Sequence, residues 1–295
     1  MKINGVIVPI VTPFDKENRL DLAALEKLLE HFIEKGVHGV VACGTTGEYY
    51  ALNDVERQQV LACIARVAKG RISLIAGAND LSTQGAILRA KQAAELGYEA
   101  LMMAPPAYSL PNQAEIIAHY KAVAEVSPLP IIMYNFPARA GVEIDIDSVL
   151  ELAKLPNIIG LKESSGNFSR ALAIIQAKLP NFEVVCGCDD QAADFLFWGV
   201  TSWISGAANV FPAEQVAMLR AAQGKDWAEV KQLMTAMYPV IQSMESGGYN
   251  QKAKLGCLRH DIQVGEVRQP LQSISATEAT HFQQLMQQFI ATQAH

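Results

Sequence analysis

The sequence predicts a single (β/α)8 barrel with a helical extension at its C-terminal end. Three observations lead there. Short apolar runs alternate with amphipathic stretches along most of the chain. The runs recur about every 20–35 residues, the length of a βα unit. They are rich in Val and Ile without clean alternation, as strands covered on both faces should be. Eight such units in succession favour the closed barrel. The competing doubly wound sheet usually carries a glycine-rich phosphate turn after its first strand, where this chain has "TPFDKEN".

The first predicted strand is "GVIVPIV" (5–11). The apolar start resembles a leader peptide. However, Pro9 and Pro13 interrupt it, and no small-residue cleavage site follows. A helix over 20–35 precedes "GVVAC" (39–43), and a helix over 54–68 precedes "ISLIAGA" (72–78). Helix 83–96 leads to "ALMMAP" (100–105), and helix 113–126 leads to "IIMYNF" (131–136). Asp54 and Ser82 are placed as helix N-caps. Helix 147–155 leads to "IIGLKE" (158–163), helix 169–179 to "EVVCGC" (183–188), and helix 191–198 to "SWISGAA" (202–208). A last barrel helix covers 212–222. From about residue 225 the pattern changes. "DWAEVKQLMTAMYPVIQSMES", "YNQKAKLGCLRH" and "ATEATHFQQLMQQFIATQA" read as further helices packed on the barrel. The expected division is a barrel over 1–224 and an extension over 225–295.

Composition narrows the function. A chain of 295 residues, half of them apolar, can bury a large core. Net charge is −6, with no block of like charges, so nothing points to nucleic acid or a membrane surface. No apolar run reaches the roughly 18–20 residues of a membrane span. A soluble, cytoplasmic protein is expected. The five cysteines (Cys43, Cys63, Cys186, Cys188, Cys257) are read as free thiols, in preference to a disulfide or zinc site. The histidines form no HExxH-like pair, so no metal is expected.

The C-terminal strand ends of such a barrel carry the chemistry. They hold "CGTTGEYY" (43–50), "PPAYSLPNQ" (105–113), "YNFPARAG" (134–141), Lys162 and "CGCDD" (186–190). Lys162 ends an apolar run. It is either a solvent-facing lysine or one enclosed by barrel wall. Burial disfavours a lysine's ammonium form. A neutral amine condenses with a ketone to an imine, which serves as an electron sink. Tyr134, one strand away, suits a proton shuttle, or else is a core aromatic. The Gly44-Thr45-Thr46-Gly47 turn offers N–H groups and hydroxyls to a carboxylate. Arg139 is a fork for a second carboxylate, or a surface arginine.

In order and spacing, "GTTGE", "YNFPARAG" and "GLKES" resemble the dihydrodipicolinate synthase / N-acetylneuraminate lyase family, from about residue 4 to about 225. The resemblance implies a homotetramer built as a dimer of dimers; no cofactor is expected. It implies that Lys162 forms an imine with pyruvate or another 2-oxo acid and that Tyr134 is the general acid–base. Thr45 and Thr46 would bind the oxo-acid carboxylate, and Thr46 would link Tyr134 to a tyrosine, placed at Tyr108, that serves a neighbouring subunit. Arg139 would hold the second substrate's carboxylate, and Gly187 and Ile204 would line the pocket.

The chain also departs from the family pattern. It lacks the synthases' Asn-Pro-Ile-Pro-like stretch, having "ESGGYNQKAKLGC" instead. Ala107 stands where a second tyrosine is common, and "GEYY" is bulkier than usual. Arg139 argues against a sialic acid lyase. The tail is similar to catabolic members, so a deaminase of 1-pyrroline-4-hydroxy-2-carboxylate type is the first specific expectation. A 4-hydroxy-tetrahydrodipicolinate synthase is the second, and a 2-keto-3-deoxy sugar acid aldolase or dehydratase the third. A non-catalytic binding barrel is the reading from another class. The intact Lys162, Tyr134, Thr46 and Tyr108 set opposes it, because an unused buried lysine costs stability.

Overall fold

A computed structural model describes residues 3–293. Eight parallel strands close into a barrel in sequence order. They are β1 (Gly5–Pro9), β2 (Gly39–Ala42), β3 (Ser73–Gly77), β4 (Ala100–Met103), β5 (Ile131–Asn135), β6 (Ile158–Glu163), β7 (Glu183–Cys186) and β8 (Ser202–Ile204). Around them run α1 (Leu22–Glu34), α2 (Asp54–Ala68), α3 (Thr83–Glu95), α4 (Gln113–Val126), α5 (Pro137–Ala140), α6 (Ile146–Leu152), α7 (Phe168–Gln176), α8 (Ala192–Phe197) and α9 (Pro212–Gln223). Three helices follow: α10 (Trp227–Glu245), α11 (Tyr249–Gly256) and α12 (Ala276–Gln293). The last residue of the third predicted tail helix, Ala294, lies outside the described residues, as do Met1 and Lys2.

Side chains alternate across the barrel wall. Ile7, Val41, Ile75, Met102, Ile132, Tyr134, Val185 and Ile204 fill the interior. Val6, Val8, Val40, Leu74, Leu101, Met133 and Leu161 pack outward against the helices. Both faces are apolar, which is why the strands lack a visible period of two in sequence.

Helix starts follow local hydrogen bonding. The cap of α2 is Asn53, not Asp54. Asn53 Oδ1 accepts from Glu56 N at 2.9 Å, and Glu56 Oε2 accepts from Asn53 N at 3.1 Å. This reciprocal pair satisfies two of the donors left open at a helix start, and it places Asp54 inside the helix. Ser82 caps α3 as expected, accepting from Gly85 N at 3.0 Å. Strand β8 ends at Ile204, earlier than predicted. Ser205 Oγ accepts from Ala208 N at 3.1 Å and turns residues 206–209 into a 3-10 helix. The "PARA" segment forms the short α5 with Pro137 at its first position.

The tail helices are fastened to the barrel's C-terminal rim. Lys254 Nζ lies 2.7 Å from Glu48 Oε1, and both side chains are buried. The Glu48 carboxylate also accepts from Arg268 N at 2.8 Å. Lys254 and Arg268 sit over the Phe14 ring, at 4.2 and 4.1 Å from its centroid. No helix among the described residues is long and apolar enough to cross a membrane.

Candidate active site

Strand β6 decides the direction of its two charged residues. A strand alternates faces, and Leu161 points outward. Gly160 and Lys162 therefore point into the barrel, and Glu163 points out. Gly160 has no room for a side chain, since a Cβ there would meet Glu183 O at 2.5 Å. Lys162 is 6% exposed. The solvent-facing reading of this lysine is thereby ruled out. Glu163 is also buried, and its charge is balanced. Its Oε2 accepts from Arg170 Nε at 3.0 Å and its Oε1 from Asn135 Nδ2 at 3.1 Å and Ser165 N at 2.8 Å. The glutamate thus ties β6 to β5 and α7, and fixes the strand end from which the lysine projects.

Lys162 and Tyr134 are register partners on neighbouring strands. Lys162 Nζ lies 4.3 Å from the Tyr134 ring centroid. Above them opens a cavity of about 510 Å³ lined by Thr45, Thr46, Tyr134, Arg139, Lys162 and Gly187, with Ser164 and a wall from the tail. A Cβ on Gly187 would fall 2.0 Å from Ser164 Oγ and 2.9 Å from Lys162 Cγ, so only glycine leaves the lysine stem its place. A smaller cavity of about 230 Å³ adjoins it, with Tyr49, Tyr50, Asn79 and Ala107 in its lining and with Thr45, Tyr134 and Arg139 shared.

The turn 44–47 is shaped mainly by protein contacts. A Cβ on Gly47 would approach Ile10 O to 2.9 Å, and Thr12 Oγ1 donates to Gly47 O at 2.7 Å. Cys43 and Glu48, at its two ends, have φ of 51° and 54°, a conformation that costs a non-glycine residue energy. Thr45 O accepts from Asn250 Nδ2 at 3.1 Å, which joins the turn to the tail. Arg139 is exposed at the rim and forms no salt bridge among the described residues.

Two predicted residues stand apart. Ile204 is fully buried in the barrel-interior layer and is not among the residues lining either cavity. Tyr108 is 93% exposed, with φ of 70°, and lines neither cavity of its own chain. No hydrogen bond joins Thr46 to Tyr134 among the described residues, so one chain alone contains no continuous line from Tyr134 to Tyr108.

The sequence reading missed the tail wall. Asp189 is 2% exposed. Its Oδ1 accepts from Trp203 Nε1 at 2.9 Å, and its Oδ2 from Ala207 N at 3.0 Å and from Tyr249 Oη. Burial and the Asp189 charge push the Tyr249 phenol far above its usual range, so it stays a donor. Glu245, at the end of α10, borders the same cavity. Surrounding protein and the nearby Asp189 and Asp190 push its carboxyl up to about 7. "CGCDD" and "YNQKAK" were visible, but nothing local indicates that residues 60 positions apart meet. All five cysteines are free and buried. Burial raises the Cys188 and Cys257 thiols to about 12, which leaves them unreactive at neutral pH.

A buried lysine inside a parallel barrel, opening on a cavity at the C-terminal strand ends, defines a barrel enzyme of the covalent-lysine class. The matching family is the Dihydrodipicolinate synthetase family, whose model covers residues 2–289, and the chain belongs to it. It is accordingly a lyase that acts through a lysine Schiff base. A 4-hydroxy-tetrahydrodipicolinate synthase from an Exiguobacterium species is 37% identical over 286 residues, covering 97% of each chain. One from Listeria innocua is 34% identical, covering 97% of this chain and 99% of the other. Among solved structures, the chloride-inhibited dihydrodipicolinate synthase of Acinetobacter baumannii complexed with pyruvate superimposes with a TM-score of 0.94. It is 34% identical, with 98% and 99% of the two chains covered.

Proposed function

We propose that the protein joins pyruvate to an aldehyde through an imine on Lys162, in the manner of a 4-hydroxy-tetrahydrodipicolinate synthase acting on aspartate semialdehyde. The observation that carries this reading is the buried Lys162 amine beside Tyr134, at the floor of a cavity bordered by Thr45, Thr46 and Arg139. The Lys162 nitrogen adds to the pyruvate carbonyl carbon, and water leaves as the imine forms. Loss of a methyl proton gives an enamine, whose carbon attacks the aldehyde. In this reading Tyr134 carries protons at the carbinolamine and at the new alcohol. Thr45 and Thr46 receive the pyruvate carboxylate, and Arg139 a carboxylate on the aldehyde.

The names of the relatives favour this synthase reading over the pyrroline deaminase expected from the tail, which the comparisons do not support. Assembly as a homotetramer is part of the proposal, because it gives the exposed Tyr108 a neighbouring site to complete. The test is borohydride reduction in the presence of pyruvate, followed by peptide mass spectrometry. A reduced pyruvate adduct on Lys162, together with consumption of aspartate semialdehyde, is expected. Label on another residue would overturn the assignment.

A further inference from the structure

Lys162 faces Tyr134 only because strand β6 is irregular. Ile131 of β5 pairs with Ile158, but Ile132 pairs with Gly160, so Ile159 is an extra residue, a β-bulge. The side chains agree. Ile158 and Leu161 both lie in the layer packed against the helices, although they are three residues apart. Ile159 packs against the barrel interior. A regular strand puts residues three apart on opposite faces. Had the first pairing continued without the bulge, Tyr134 would oppose Leu161, and Asn135 would oppose Lys162. Register partners in a parallel pair share a face. The lysine would then leave the interior for the helix layer, and the cavity would lose its amine.

The bulged register is fastened one residue further on. Asn135 opposes Glu163. On the outward face, Asn135 Nδ2 donates to both carboxylate oxygens, at 3.1 and 3.2 Å. Arg170 Nε donates to Glu163 Oε2 at 3.0 Å, and Arg170 Nη2 donates to Ile144 O. Ile144 N donates to Asn135 Oδ1 at 3.0 Å, which closes a ring of four buried residues. The ring also ties down the chain that follows Arg139. In the slipped register Asn135 would meet an ammonium, to which its Nδ2 cannot donate, and the Glu163 carboxylate would lose a donor. A buried acceptor without its donor is costly, more so when it is charged.

We propose that Asn135 and Glu163 are positioning residues: a clamp on the outer face of the barrel wall that holds the bulged register and so aims Lys162 at Tyr134 on the inner face. Neither residue lines either cavity. Each acts through its neighbour in sequence, Asn135 through Tyr134 and Glu163 through Lys162. This inference rests on the lysine-imine reading, because it concerns the aim of that amine.

Two variants of the full-length enzyme test it. Asn135→Ala removes the cross-strand bond and leaves the Glu163–Arg170 pair. Asn135→Asp keeps the shape and the acceptor for Ile144 N, but puts an oxygen where the donor faced Glu163. Melting curves and circular dichroism set a temperature at which each variant is folded, and rates are measured there. Pyruvate imine formation on Lys162, read by borohydride quench and peptide mass spectrometry, is expected to slow at least about tenfold in both, since a misplacement of about 1 Å can cost about 10²-fold. The KM for the aldehyde should hardly change. A second readout needs no pyruvate. Reductive methylation by formaldehyde and cyanoborohydride should slow at Lys162 in both variants, but not at the exposed Lys154 of the same chain. A lower melting temperature with both Lys162 rates unchanged would make the clamp merely structural and overturn the proposal. So would loss in Asn135→Ala with wild-type rates in Asn135→Asp, which would assign the effect to the Ile144 contact. Absence of a pyruvate adduct on wild-type Lys162 would sink the imine reading alone, since methylation still reports where the lysine points.

Discussion

Glu48 and Lys254 form a buried ion pair, 2.7 Å apart, between the turn after β2 and the second helix of the tail. Burial lowers the Lys254 ammonium from its usual range, and the Glu48 charge opposes that shift. Removing one member strands the other charge in the interior, which typically costs about 3–5 kcal/mol. Lys254→Met and Glu48→Gln should therefore each lower the urea midpoint substantially. The double variant should lose less than the two single losses combined, because no unpaired charge remains. A simple sum of the two losses would show that the pair does not fasten the tail.

Lys162→Ala should abolish pyruvate labelling and turnover while the far-ultraviolet dichroism stays unchanged. The site lies at the mouth of the barrel, and the alanine leaves only a small extension of the existing cavity. Tyr134→Phe should still form the imine but turn over about 10²–10⁴-fold more slowly, the usual contribution of a positioned proton donor. Near-wild-type turnover in that variant would remove Tyr134 from the proton path.

Arg139→Ala tests the division of labour between the two ends of the cavity. Loss of a charge-assisted pair should raise KM for the carboxylate-bearing acceptor by about 10–150-fold. The rate of pyruvate imine formation should hardly change. If imine formation collapses as well, Arg139 belongs with Thr45 and Thr46 at the pyruvate end.

The Glu245 carboxyl, pushed up to about 7 from the ordinary glutamate value of 4.5, binds its proton more tightly in the folded chain than in the unfolded one. Such a group contributes stability that is fully present below pH 4.5 and is lost as pH rises through 7. Glu245→Gln should therefore gain stability relative to wild type at pH 8 compared with pH 5. Melting curves at the two pH values check this. An offset independent of pH would mean that Glu245 titrates normally.

Tyr108 offers a test of assembly. At 93% exposure it reaches neither cavity of its own chain. If it completes a neighbour's site, Tyr108→Phe and Lys162→Ala subunits, each inactive alone, should regain activity when mixed. No recovery in oligomers shown by native mass spectrometry to be mixed would argue against a shared site.

The barrel was legible in the sequence because its repeat is local. Each βα unit carries its own apolar run, amphipathic stretch and stop, so strand order needed no knowledge of distant residues. Lys162, Tyr134, Thr45, Thr46 and Arg139 were legible for the same reason: each follows or ends a strand, and a closed parallel barrel brings all strand ends to one rim. The sequence also placed the charged pair Lys162 and Glu163 at the end of β6. It did not show that the two point to opposite faces, since a strand apolar on both sides hides its period. Register with Val185 and Tyr134 settles that. The tail wall was decided only by tertiary structure. Tyr249 reaches Asp189, Asn250 reaches Thr45, and Lys254 reaches Glu48 across 60, 205 and 206 residues. No periodicity or cap encodes such meetings, which arise from the packing of α10 and α11 against the rim.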